Sequence, residues 1–111
     1  MGAFSAGAVV LVQFPFSDLT RSKMRPAVVL ANAGRGDYVL CQITSNAQAD
    51  RRAVELGQSD LVSGSLQRTS YVRPAKLFTA NDKLVARQVG SLSRAARARV
   101  VHEVVDLLEQ Q

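Results

Sequence analysis

The 111-residue sequence has one histidine, one cysteine and no tryptophan, and each shortage closes a chemical route. With His102 alone, neither a histidine pair for acid–base cleavage nor a histidine-based triad can be built within one chain. Cys41 has no partner for an internal disulfide, and together these two residues are too few for a Cys/His zinc site. Cys41 lies in an apolar run, where a buried, reduced thiol is expected. No apolar run reaches the ~18 residues of a membrane span. The opening stretch to Val12 faintly resembles the apolar part of an export signal. It has no basic residues before it and ends at Gln13 without a small-residue cleavage site, so it reads as structure, and a cytoplasmic location is expected. Phosphate-loop, dinucleotide-binding and EF-hand spacings are absent. Asp18, Asp37, Asp50, Asp60 and Asp82 fall singly in loops, so no magnesium cluster is signalled. Any catalysis is expected to need neither metal nor cofactor.

What is abundant is arginine. Eleven Arg and three Lys outweigh nine acids for a net charge of +5. Such an excess suits an anionic partner, nucleic acid first; a biased composition on a solvated surface would give the same number. At 47% hydrophobic residues the chain has ordinary globular composition, and its length suits a single domain over residues 1–111.

The first two-thirds reads as strands. Val9 to Phe14 is a short valine-rich run ended by Pro15, and Ala27 to Ala31 is a second. A glycine-bearing turn from Asn32 to Gly36 leads into Tyr38 to Thr44. Apolar runs this short, flanked by Gly and Pro, favour buried strands. A polar loop around Asn46 to Arg52 precedes weaker candidates at Ala53 to Leu56, Ser70 to Arg73 (extendable through Lys76 to Phe78) and Leu84 to Val89. The pattern predicts a mainly β fold, a small, partly open β-barrel, with a C-terminal helix. In that helix Val101, Val104, Val105 and Leu108 fall on one face, and Ser93 is the candidate N-cap. Arg94, Arg97 and Arg99 sit early and Asp106 and Glu109 late, opposing the helix macrodipole. Packing of the valine face must then hold the helix, and its arginines read as tolerated surface rather than as a patch for a partner.

The chemistry left to such a chain is that of arginine and hydroxyls. RNA carries its own nucleophile, the 2′-OH beside each phosphodiester. Arginine offers phosphate a planar fork of donors and keeps its charge at any working pH. A threonine or serine adds a hydroxyl at short range. Preorganised charge stabilisation of this kind is commonly the largest catalytic contribution. Arginine is a poor general base, so a proton acceptor remains to be found.

Five segments carry a resemblance: Gly7 to Leu19, Lys23 to Leu30 with its Arg25-Pro26 step, Cys41 to Ser45 with its Thr44-Ser45 step, Ser70 to Phe78, and Val89 to Ser93. In this order and spacing the chain resembles the PemK/MazF toxin family over nearly its whole length. The resemblance implies an SH3-like, partly open β-barrel of the PemK/MazF/CcdB type with a C-terminal helix, usually a homodimer with RNA bound along the dimer groove. It implies metal-independent cleavage of single-stranded RNA to a 2′,3′-cyclic phosphate and a 5′-hydroxyl, and a cognate antitoxin that occludes the groove. The catalytic pair it implies is Arg25 on the scissile phosphate and Thr44 on a phosphate oxygen, each at the end of a strand neighbouring the other's. Ser45 and Asp18 would support them, and Phe16, Ser17, Lys23, Asn46, Arg73 and Lys76 would contact RNA.

Each of these residues has a plainer reading. Arg25 could be a surface charge where a loop enters a strand, and Thr44 and Ser45 could simply close one. Phe16 could belong to the core rather than stack on a base, and Arg73 and Lys76 could be solvated loop cations. The chain also departs from the family pattern. Ala8 stands where relatives are commonly acidic and Gln13 where proline is frequent. The loop from Ser17 to Met24 has Asp18 as its only acid. Two other functions compete: a non-enzymatic, CcdB-like poison of DNA gyrase, and a degenerate relative that binds only RNA or antitoxin.

Overall fold

A computed structural model describes residues 3–15 and 22–111. Phe16, Ser17 and Asp18 lie outside the described residues. Within them, seven strands and one helix follow one another: β1 (Ala8–Pro15), β2 (Ser22–Gly34), β3 (Asp37–Thr44), β4 (Val54–Leu56), β5 (Leu61–Gly64), β6 (Ser70–Asn81), β7 (Val85–Leu92) and α1 (Arg94–Glu109). The strands form one antiparallel sheet in the order β4-β6-β3-β2-β1-β7-β5, curled into a half-barrel. The expected mainly β, partly open barrel with a terminal helix is therefore the observed architecture. No described helix is long and apolar enough to cross a membrane.

The continuous apolar runs have a direct cause. β1, β2 and β3 hold the middle of the sheet, and alternate residues on each enter different clusters. Val9, Val28, Leu30, Cys41 and Ile43 pack with Ala96, Val100 and Val104 of α1. Val10, Val12, Ala27, Val29 and Leu40 pack on the other face with Tyr38 and Ala80, against Phe4, Phe78 and Val85. Cys41 is fully buried, and burial, with the charge of Asp50 second, pushes its thiol up to about 12. The hairpin between β2 and β3 turns on Arg35 and Gly36, both at positive φ (58° and 82°), the geometry of a two-residue type I′ loop.

Prolines mark the places where the ladders lapse. β2 extends further toward its start than its apolar run, and Pro26 pairs with Leu11 of β1 just where the pairing with β3 stops, at Ala27 opposite Gln42. In β6 the register against β3 shifts between Leu77 and Val72, and buried Pro74 sits in that bulge, where no ladder donor is required of it.

The helix differs from its expected face. Ala96, Val100 and Val104 are its buried residues, whereas Val105 and Leu108 are 43% and 62% exposed. The seam therefore runs at i, i+4 and i+8 from Ala96, with Val101 partly buried beside it. Ser93 caps the helix as expected, its hydroxyl accepting the Ala96 N–H at 3.1 Å. Two of the charges that oppose the dipole, Arg99 and Asp106, have tertiary partners. Arg99 meets Asp60 at 3.2 Å, and Asp106 and Glu103 hold Arg52 at 2.7 and 3.3 Å.

Candidate active site

Where β2 and β3 part, two side chains come level. Val28 pairs with Cys41 and Ala27 with Gln42, and extending that register by two residues sets Arg25 opposite Thr44. Arg25 is held from its other side by its pairing with Val12 of β1, and Thr44 by its pairing with Tyr71 of β6. Both are half-buried. Residues some twenty apart in sequence thus share a place because two ladders fix them and a third stops short of them.

The loop leaving β3 shapes the Thr44 hydroxyl. The Asn46 N–H donates to Thr44 Oγ1 at 3.1 Å, the Gln48 N–H donates to Asn46 Oδ1 at 2.9 Å, and the Ala49 N–H donates to the Asn46 carbonyl at 3.2 Å. These tight turns fix the start of the loop. A hydroxyl that accepts one bond keeps its own proton to donate. Thr44 can therefore offer a donor to an oxygen lying before it.

A cleft of about 340 Å³ opens at these strand ends, lined by Lys23 to Pro26, Ile43 to Ser45, Gln67, Arg68 and Ser70. Three of its lining residues are cations and none is a carboxylate. Among the described residues, no ion pair involves Lys23, Arg25 or Arg68. A concave site with uncompensated positive charge and hydroxyls is suited to a phosphate.

The structure brings Arg25, Thr44, Ser45 and Lys23 together, with Asn46 bonded to Thr44. It places Arg73 elsewhere, in the β6 bulge beside Asp50, with Nε 3.8 Å from Asp50 Oδ2 and no hydrogen bond of its own. Lys76 is an exposed residue of the same strand, away from the cleft lining. Gln67 and Arg68, from the loop before β6, line the cleft without having stood out in sequence, where an isolated polar pair between strands carries no spacing signal.

Two larger depressions compete for attention. One of about 720 Å³ lies between β4 and α1 and includes Arg52, Arg99, His102 and Glu103; another of about 570 Å³ includes Asp50, Arg52 and Arg73. Most of their cations are already engaged by acids. Asp50 is the hub of the second, with its side chain only 3% exposed and its carboxylate accepting the Arg52 and Ala75 N–H groups, each at 2.9 Å. That carboxylate ties the loop after Thr44 to the β6 bulge. Size therefore gives way to charge, and the smaller cleft is the better anion site. Among the described residues, no three His, Cys, Asp or Glu side chains gather as metal ligands would.

The same architecture recurs in solved structures. MazF from Deinococcus radiodurans superposes with a TM-score of 0.75 over 98% of this chain and 99% of its own, at 22% identity. A MazE–MazF structure from the same organism gives 0.73 over 94% of each chain at 24% identity. An endoribonuclease in complex with its cognate antitoxin, from a mycobacterial species, gives 0.73 over 98% and 96% at 18% identity. At such identities the likeness is one of fold. Among curated proteins, no sequence match is found. The profile of PemK-like, MazF-like toxins of type II toxin–antitoxin systems, however, matches residues 5–108. That span takes in the cleft, the sheet and nearly all of α1, and the chain belongs to the PemK-like, MazF-like family of type II toxins.

Proposed function

We propose that this toxin is an endoribonuclease that cuts single-stranded RNA by attack of the substrate's own 2′-OH. The observation that carries the reading is the cleft itself: Arg25 level with Thr44, Lys23 and Arg68 alongside, and no carboxylate among its described lining. Arg25 holds the non-bridging oxygens of the scissile phosphate and neutralises the charge that grows on them. The Thr44 hydroxyl, accepting from Asn46, donates to one of those oxygens, with Ser45 beside it. The 2′-oxygen bonds to phosphorus and gives up its proton, the bond from phosphorus to the 5′-oxygen breaks, and that oxygen takes a proton. The ends are a 2′,3′-cyclic phosphate and a 5′-hydroxyl. Asp18, the single acid between Ser17 and Met24, is the first proton acceptor to test.

The fold neighbour that is an endoribonuclease bound to its cognate antitoxin supports two partners for this chain, RNA and an antitoxin. A homodimer in the cytoplasm completes the reading. The experiment is an assay on long single-stranded RNA in EDTA with wild type, Arg25→Ala and Thr44→Ala. Cleavage by wild type and loss in both variants, with RNA still bound, supports the proposal. Cleavage that disappears in EDTA overturns the metal-free step, and gyrase inhibition without RNA cleavage selects a CcdB-like function.

A further inference from the structure

The line on which Arg25 and Thr44 stand continues beyond the cleft. Thr44 pairs with Tyr71 of β6, and Tyr71 pairs in turn with Glu55 of β4. Directly opposed residues on antiparallel strands leave the sheet on the same face, with Cβ atoms about 5 Å apart. A row therefore crosses four strands: Arg25, Thr44, Tyr71, Glu55. At its β1 end it begins with Val12, which is buried.

Tyr71 is the member of this row that the fold does not explain. The other described rings have packing roles. Phe4 and Tyr38 meet edge to face with centroids 5.5 Å apart, and Phe78 packs against the second core cluster. Tyr71 joins neither cluster, is half-buried, and among the described residues its hydroxyl makes no hydrogen bond. A half-buried aromatic ring outside both core clusters, one strand away from a phosphate site, can serve as a surface for a nucleobase. Charge along the row assigns the two ends. Arg25 attracts the phosphate, whereas Glu55, exposed at the far end, repels it. The sugar–phosphate chain is thus held at the Arg25 end, and a flanking base falls over Tyr71.

We infer that Tyr71 is a specificity-determining residue, the platform on which the nucleobase beside the scissile phosphate stacks. The inference rests on the ribonuclease reading above, because it takes the substrate strand to lie along this row. Stacking is sequence-tolerant but favours larger rings, so Tyr71 would bias cleavage toward sites with a purine at that position.

The chain supplies its own probe: it has no tryptophan and two tyrosines, so in a Tyr38→Phe background Tyr71 is the sole strong intrinsic fluorophore. A mixed-sequence single-stranded DNA oligonucleotide lacks the 2′-OH and cannot be cut by this chemistry. Its addition is expected to quench Tyr71 emission. In the otherwise native chain, Tyr71→Ala is expected to weaken oligonucleotide binding by about 5- to 150-fold, the range of one stacked base. Tyr71→Phe keeps the ring and is expected to bind as wild type, whereas a hydroxyl contact to phosphate would be lost in it. Because alanine also weakens a strand, Tyr71→Leu serves as the second variant and is expected to behave as Tyr71→Ala with an unchanged thermal midpoint. On long RNA both non-aromatic variants should redistribute the cut sites while Tyr71→Phe preserves them. Wild-type cleavage with unaltered binding and sites in Tyr71→Leu overturns this inference alone. Failure of the wild type to bind or cut any single strand overturns it together with the ribonuclease reading.

Discussion

Two groups of cations on this molecule have the same chemistry and opposite surroundings. Along α1 and the neighbouring loop, Arg52 is held by Asp106 and Glu103, Arg99 by Asp60, and Arg73 lies against Asp50. In the cleft at the ends of β2 and β3, Lys23, Arg25 and Arg68 stand with hydroxyls and no carboxylate among the described lining. The first group spends its charge inside the molecule and ties the helix and a loop to the sheet. The second leaves its charge for something else. A net charge of +5 does not distinguish them; the neighbours do, and those neighbours are set by strand register.

The sharpest way to break the contrast is to remove one member of each group. Arg25→Ala is expected to lower RNA cleavage by about 10²- to 10³-fold, the usual loss for one transition-state donor, with the denaturant midpoint unchanged. Asp50→Ala should do the reverse in kind. It strands the N–H groups of Arg52 and Ala75 and leaves Arg73 without its acid, at about 2–4 kcal/mol of stability. Urea titrations beside cleavage rates check both. A large stability loss in Arg25→Ala would mean that this residue belongs with the structural cations.

The same contrast explains what was legible in the sequence. β1 to β3 could be read because burial on both faces writes an unbroken apolar run. β5 could not: Leu61 to Gly64 is a short edge strand with no fully buried residue. The helix was legible as a helix, but its seam was misplaced because Ala96 carries little weight in an apolar pattern while Val105 and Leu108 stand out. Arg25 fell just outside the apolar run that begins at Ala27, where a loop was read to enter the strand, yet β2 carries it as a strand residue. The Arg25–Thr44 pair was visible through the family resemblance, and its physical basis, a shared register, exists only once three strands are aligned. Asp50 read as one more solitary loop acid, since its burial depends on a bulge some twenty-five residues away.

A smaller effect tests the structural group by pH. The Gly57 N–H, opposed by desolvation and helped by Arg99, holds the Asp60 carboxyl below its ordinary value of 3.8. A group whose pKa is lower when folded contributes stability above its unfolded pKa and loses it as pH falls through the folded one. Wild type should therefore lose stability on acidification below about pH 4 more steeply than Asp60→Asn, measured as urea midpoints between pH 5 and 2. Parallel curves would show that Asp60 binds its proton equally well folded and unfolded, so that its contacts add no net stability.

The gentlest test asks whether the cleft cations meet phosphate at all. Each phosphate neutralised on a single strand contributes about 0.7 to the slope of log affinity against log salt. Lys23→Ala and Arg68→Ala should each reduce that slope by up to about this amount for single-stranded RNA, because their charge is free to release counterions. Arg52→Ala should leave it unchanged, since Asp106 and Glu103 already neutralise Arg52. The comparison is internal: all three substitutions remove one positive charge, so a general field effect would lower the slope equally in each. An equal drop would place RNA affinity in the overall charge of the surface, whereas a drop confined to Lys23 and Arg68 would place it in the cleft.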